Sequence, residues 1–312
     1  MKPTEELRPG ECGFRGLWWE NPNTRTYRTM IVIMGDSADD VMDRGAVRWL
    51  TKYHRMNVLT VAVNTDEGDD TGVHSWPLDR IEAAVRWLID EKQMDKVGIM
   101  GISMQATLAL AAASLIPELS LVIAFSPADY VPWGFHQGQL GRYRKAEWPS
   151  GGSAFSWKGQ DLPYLPSVKE GEEYWKAFLS EKKKHHETHT YAFFEEAEKK
   201  EKIRNEVFIP VEKICGRIIF VAAEDDSMWP SAAYVRRMYG RLQKKGFRHG
   251  FEAFLYTYGT HLLVPERLLY SAIPVGGGLM QRMFRSGKKH PSECRAAREE
   301  LEEKFSTVFD EW

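Results

Sequence analysis

Three residue types that can cooperate in acyl transfer lie far apart in this chain but in matching local settings: Ser103, the acidic pair Asp225-Asp226, and His261. A serine hydroxyl is a weak nucleophile at neutral pH. It needs a base beside it, and that base needs an acid that fixes its tautomer and stabilises its protonated form. Ser103 lies in "VGIMGISMQATLALAAAS", residues 97–114, which reads as an apolar strand, a tight turn at Gly101-Ile102-Ser103, and a small-residue helix. That is the layout of a nucleophile elbow, G-x-S-x-G, with Gln105 in the last position. Asp225 and Asp226 follow the apolar run "RIIFVAA", and His261 follows "FEAFLYTYGT", where Gly259 gives the chain freedom to turn. Open α/β sheets place their sites just past the C-terminal ends of strands, and serine, acid, histidine is the chain order this architecture uses.

Taken singly, each residue has a plainer reading. Ser103 and Asp226 are both favoured types for a helix N-cap, and His261 alone could be a structural histidine. Three strand-end residues of the right types in the right order are harder to obtain by chance. Asp226 is favoured as the acid because it stands four residues before Pro230, and Asp225 is the alternative. A tetrahedral intermediate also needs N–H donors for its oxyanion. The backbone of Met104, next after the serine, should supply one. The backbone of Asp36 or Ser37, in the loop after "RTMIVIMG", should supply the other. Gln105 must direct its side chain away from the crowded elbow.

These residues need an alternating frame to hold them. Strands are expected in "FRGLWWE", "RTMIVIMG", "MNVLTVAVN", "KVGIMG", "LSLVIAFSP", "GRIIFVAAEDD" and "FEAFLYTYGTH", with "RTMIVIMG" and "MNVLTVAVN" read as buried. Helical patterns fall between them: "RGAVRWLTKYH", "PLDRIEAAVRWLIDE" opening at Pro77, the helix after the elbow, and "SAAYVRRMYGRLQKKG". The alternation predicts an α/β fold with a mostly parallel sheet and helices on both faces. From about residue 128 to 210 it lapses into a stretch rich in aromatics, including Trp133, Trp148, Trp157 and Trp175, with two charged helical pieces. It reads as a cap-like insertion in a single domain spanning residues 1–312, its aromatics serving either packing or a lid over an apolar chain. "PSECRAAREELEEKFSTVFDEW" closes the chain as one amphipathic helix.

Within "KKKHHETH", His185 and His189 stand at i, i+4. A metal pair is one reading; a solvated charged face is preferred, so no metal and no cofactor is expected. "VGGGLMQR", residues 275–282, reads as a mobile loop, lacking the strand and helix of a phosphate-binding turn. The net charge of −2 gives no global pull toward nucleic acid or a membrane surface. Three widely spaced cysteines point to a reducing compartment. With no signal-peptide core and no membrane-length apolar run, a cytoplasmic protein is expected, compatible with a homo-oligomer.

The segments "GVHSWPLDRIEAAVRWL", "VGIMGISMQATLALAAAS", "IAFSPADYV", "SWKGQDLPYLP", "FIPVEKICGRIIFVAAEDDSMWPS" and the late "GTH" resemble the catalytic domain of the acyl-CoA thioesterase and bile acid-CoA:amino acid N-acyltransferase family. The resemblance runs from about Gly16 to the end and implies an α/β-hydrolase fold. It also implies a nucleophile at Ser103, an acid at Asp226 and a base at His261. Amino-acid-transferring members carry cysteine at the nucleophile position, so Ser103 implies hydrolysis of an acyl-CoA thioester. Two-domain members add an N-terminal β-sandwich; too little chain precedes Gly35 for one, so a standalone catalytic domain is expected. Two departures stand out: Gln105-Ala106 replaces Gly-Gly, and "GDSADD" replaces a more glycine-rich loop. They keep open a carboxylesterase acting on small non-CoA esters, or a hydrolase-fold binding protein without catalysis.

Overall fold

A computed structural model describes residues 2–23, 26–35, 37–64, 72–135, 152–201 and 203–312. Its main sheet comprises β1 (Glu5–Leu7), β2 (Gly16–Trp19), β3 (Arg28–Ile33), β4 (Asn57–Val61), β5 (Lys96–Ile102), β6 (Leu119–Phe125), β7 (Arg217–Ala223) and β8 (Phe251–Tyr256). The spatial order is β1-β2-β4-β3-β5-β6-β7-β8. Only the β1–β2 and β2–β4 pairings are antiparallel; from β4 to β8 every neighbour is parallel. This is the α/β-hydrolase fold.

Side chains alternate across a strand, so one sheet must feed two cores. Ile31, Ile33, Ile99, Val122 and Phe220 belong to one buried cluster. Met30, Val32, Met100, Leu121, Ile123, Ile219 and Val221 belong to the other. Central strands buried on both faces read as continuous apolar runs, which is why "RTMIVIMG" and "RIIFVAA" carry no polar alternation. On the second face lie α1 (Val41–Tyr53), α7 (Glu266–Ala272) and α8 (Pro291–Glu311). The first face is covered by α2 (Asp79–Asp90), α3 (Met104–Ala113) and α6 (Ser231–Lys245). All residues of α3 are buried, as expected of a helix with no polar face, and its alanines let it sit close to β5 and β6.

The region expected as an insertion holds α4 (Gly171–His185) and α5 (Tyr191–Lys200). It also supplies Phe155–Trp157 and Gln160–Asp161 to a small three-stranded sheet, whose third member is Trp76–Pro77. Pro77 therefore does not open α2 as the sequence suggests: it pairs with Ser156, and the helix begins at Asp79. Trp148 lies outside the described residues. Trp133 stacks on Phe194 of α5 at 4.8 Å, and Phe194 meets Trp229 edge-on at 5.2 Å. Arg237 of α6 forks onto buried Asp129 at 2.6 and 2.7 Å and reaches Glu198 of α5 at 2.8 Å, tying this region to the body. "VGGGLMQR" is a second correction: Gly277–Gln281 form a short helix packed on Leu269 and Tyr270. All three cysteines are free thiols. Among the described residues, no helix is long and apolar enough to cross a membrane.

Candidate active site

Strand β5 ends at Ile102 and α3 begins at Met104, leaving Ser103 alone to reverse the chain. It does so at φ 60° and ψ −125°, a conformation that L-residues rarely adopt and that costs about 1–3 kcal/mol. The cost is met by the strand and helix it joins. Its N–H donates to the Phe125 carbonyl at 2.8 Å, and its carbonyl accepts from the Thr107 N–H at 3.1 Å. Gly101 permits the reversal, because a Cβ there would lie 2.6 Å from the backbone carbon and oxygen of Gln105. The close approach thus involves the main chain of Gln105. Its side chain is packed into the protein at 8% exposure, which explains how the elbow tolerates a residue other than glycine there.

The Ser103 hydroxyl makes no capping bond to α3. Its Oγ instead lies 2.7 Å from His261 Nε2. On the far side of the imidazole, Nδ1 is 3.0 Å from Asp226 Oδ1 and 2.9 Å from Oδ2. A carboxylate oxygen accepts, so Nδ1 carries the ring hydrogen and Nε2 presents its lone pair to the hydroxyl. Both partners are removed from water, His261 at 4% exposure and Asp226 at 3%. Asp226 does not cap α6; it is aimed by the loop ahead of that helix. Oδ1 accepts from the N–H groups of Met228 at 2.9 Å and Trp229 at 3.4 Å, and Oδ2 accepts from the Ser231 hydroxyl at 2.6 Å.

Asp225, the alternative acid, faces elsewhere. Its Oδ1 accepts from the N–H groups of Gly259 at 3.1 Å and Thr260 at 3.2 Å, holding the turn that delivers His261. Burial pushes its carboxyl up to about 6. Thr260 sits at φ 64° in that turn. Its hydroxyl donates to Gln281 Oε1 at 2.7 Å, while Gln281 Nε2 donates to the Leu262 carbonyl at 3.1 Å.

Several supporting residues escaped the sequence reading. The Ser126 hydroxyl donates to the His261 carbonyl at 2.8 Å, and the Trp229 indole donates to the Ser126 carbonyl at 3.0 Å. The Trp229 ring meets His261 edge-on at 5.3 Å. Ser126 directly follows β6, so its strand-end position was a usable signal. Gln281 stands twenty residues past His261, and only the folded chain brings it to the turn.

Of the expected oxyanion donors, Met104 opens α3, whose first N–H groups have no acceptor within the helix. Ile33 pairs with Gly101, so the chain leaves β3 beside the elbow. Ser37 is exposed in the loop that follows, and Asp36 lies outside the described residues. Gly35 packs that loop: a Cβ there would strike the side chains of Asp40 and Asp43, and Asp43 Oδ1 accepts the Met34 N–H at 2.8 Å.

Among solved structures the chain is similar to an esterase from Pyrococcus furiosus, at 16% identity and TM-score 0.46, over 91% of this chain and 94% of that one. It is also similar to Est1E from Butyrivibrio proteoclasticus, at 13% identity and TM-score 0.45, over 91% of this chain and 99% of that one. Acetyl xylan esterase 1 from Thermoanaerobacterium sp. follows at 15% identity and TM-score 0.41, over 80% of this chain and 74% of that one. No curated protein matches. The sequence model described as BAAT / Acyl-CoA thioester hydrolase C terminal matches residues 77–266, a span that holds Ser103, Asp226 and His261. Because that match takes in more than half of the 312 residues, this chain belongs to the BAAT / acyl-CoA thioester hydrolase C-terminal family.

Proposed function

We propose that the protein is a serine hydrolase that cleaves an acyl-CoA thioester through an acyl-enzyme. Membership of the family supports a hydrolase in general terms. The observation that carries the serine mechanism is the 2.7 Å contact between Ser103 Oγ and His261 Nε2, with Asp226 on the opposite ring nitrogen; the choice of an acyl-CoA thioester rests on the family description alone.

In this reading Ser103 Oγ attacks the substrate carbonyl carbon as its proton passes to His261 Nε2. Asp226 stabilises the imidazolium that results. The backbone N–H of Met104 and one from the loop after β3 (Asp36 or Ser37) hold the oxyanion. Collapse of the tetrahedral intermediate expels the thiolate, which takes the proton from His261. Water then attacks the acyl-enzyme, giving its proton to the same nitrogen, and the acid leaves as Ser103 is re-protonated. No cofactor or metal enters these steps. The reading takes the chain as one hydrolase unit whose inserted region contributes to substrate recognition.

A carboxylesterase acting on a small non-CoA ester is the second reading, favoured by Gln105-Ala106 in place of Gly-Gly beside the nucleophile. Two measurements separate the possibilities. A fluorophosphonate probe should label the folded protein and fail to label Ser103→Ala; absence of labelling in the folded parent protein would remove the enzyme reading. Thiol release across an acyl-CoA panel, run beside aryl esters of matched acyl length, should then favour the thioesters. Preference for the esters would favour the second reading instead.

A further inference from the structure

We infer that Glu181, His185 and His189 form a binding site for one divalent transition metal at the C-terminal end of α4, separate from the candidate catalytic centre. The helix itself sets two of the ligands. Glu181 and His185 stand one turn apart on the same face, with His185 Nε2 3.2 Å from Glu181 Oε2. The helix stops at His185, and His186 adopts the left-handed conformation at φ 57°. That reversal folds the chain back over the last turn, and the His189 ring comes to lie on the His185 ring at 3.8 Å with 11° between planes. One potential ligand atom from each of the three residues falls within 4.8 Å of the others. Among the described residues this is the one grouping of its kind.

The donor chemistry fits. Two imidazoles and a carboxylate are a nitrogen–oxygen set suited to zinc and its neighbours, whose bonds to such ligands run about 2.0–2.2 Å. Tetrahedral ligands at that radius sit about 3.4 Å apart, against separations of no more than 4.8 Å among the three residues here. His189 Nδ1 is buried without a hydrogen-bond partner, and Glu187 Oε1 stands 3.6 Å from it as a further carboxylate. The sequence reading placed His185 and His189 one turn apart on a continuing helix; the helix instead stops at His185, and the turn at His186 brings His189 back beside it.

The site has a structural consequence. Immediately after His189, the N–H groups of Thr190 and Tyr191 donate to the Ser227 carbonyl, each at 3.1 Å. The Ser227 hydroxyl donates to the Thr188 carbonyl at 3.0 Å. Ser227 directly follows Asp226. A metal at this site therefore fastens α4 to the segment that grips the carboxylate loop.

Tag-free protein, stripped with a chelator and titrated with zinc chloride by calorimetry, tests the inference without reference to activity. The expected result is one saturable equivalent per chain and a rise in melting temperature. In His185→Ala and Glu181→Gln the affinity should fall by about tenfold or more, since loss of even an outer-shell partner costs 10–100-fold. The chain holds 9 histidines, so the variants decide rather than binding alone. X-ray absorption at the zinc edge of the unmutated protein should show two imidazole ligands, which guards against a variant that fails to fold. No saturable binding, binding unchanged in both variants, or a spectrum without two imidazoles would overturn the inference.

Discussion

Asp225 and Asp226 are neighbours of identical chemistry, yet the structure assigns them opposite surroundings, and exchanging each for asparagine should separate them. In Asp226→Asn an amide replaces the group facing His261 Nδ1 at 2.9 and 3.0 Å. Its NH2 then competes to face the ring and favours the tautomer with the proton on Nε2, where Ser103 needs an acceptor. The equivalent change in trypsin lowers kcat by about 10⁴, which at 1.36 kcal/mol per tenfold is about 5.5 kcal/mol of lost transition-state stabilisation. Asp225→Asn keeps a carbonyl oxygen for the Gly259 and Thr260 N–H groups at 3.1 and 3.2 Å. Each bond weakens from charge-assisted to neutral, by about 1 kcal/mol, and the cost of burying a charge disappears. Its kcat should stay within about tenfold of the parent, since the turn survives. Steady-state hydrolysis of an activated ester by both variants, each first checked by circular dichroism, makes the comparison. Equal losses, or a larger loss in Asp225→Asn, would refute the reading of Asp226 as the orienting acid.

Gly101→Ala places a Cβ 2.6 Å from the Gln105 backbone, so the elbow must open. A stability loss of about 1–3 kcal/mol by denaturant titration is expected, with about 10²-fold lower kcat from the displaced hydroxyl; parent-like kinetics would contradict it. pH dependence of stability offers a third check. His54 packs against Trp49 and Phe309, and burial lowers its pKa to about 4 from 6.5. Unfolding lets it bind a proton, so its contribution is present above about pH 6.5 and is lost as pH falls toward 4. Asp225, raised from 3.8 to about 6, acts oppositely: the native state holds the proton more readily, and stability falls as pH rises from about 4 to 6. Melting temperatures across this range should therefore drop more steeply on acidification in Asp225→Asn than in the parent. A steeper drop appearing instead in His54→Phe would show the signs to be wrong.

The frame was legible because physics leaves strong marks on it. A strand covered on both faces must be apolar along its buried length, and "RTMIVIMG", "KVGIMG" and "RIIFVAA" are apolar after their opening polar residues. The strand-end positions of Ser103, Asp226 and His261 were legible for the same reason. What escaped were effects of the folded chain. Pro77 suits a helix start, yet pairing with Ser156 claims it for the small sheet. Glycines 276–278 suggest a loop, but Gly277 and Gly278 wind into a helix packed on Leu269 and Tyr270, with Gly276 as its left-handed cap at φ 103°. Gln281 reaches Thr260 only once that helix has formed, and no local pattern announces such a meeting.

The bonds between Thr188, Thr190, Tyr191 and the Ser227–Met228 pair bear on how a substrate gets in. Several hydrogen bonds join these segments directly behind Asp226. Were α4 and α5 to swing outward there, they would drag the Asp226 carboxylate from the His261 imidazole and break the proposed relay to Ser103. On the proposed function that bonded border would serve as a fixed axle, so the moving edge of any substrate entrance would lie on the opposite flank, and a cross-link across the axle should leave turnover intact.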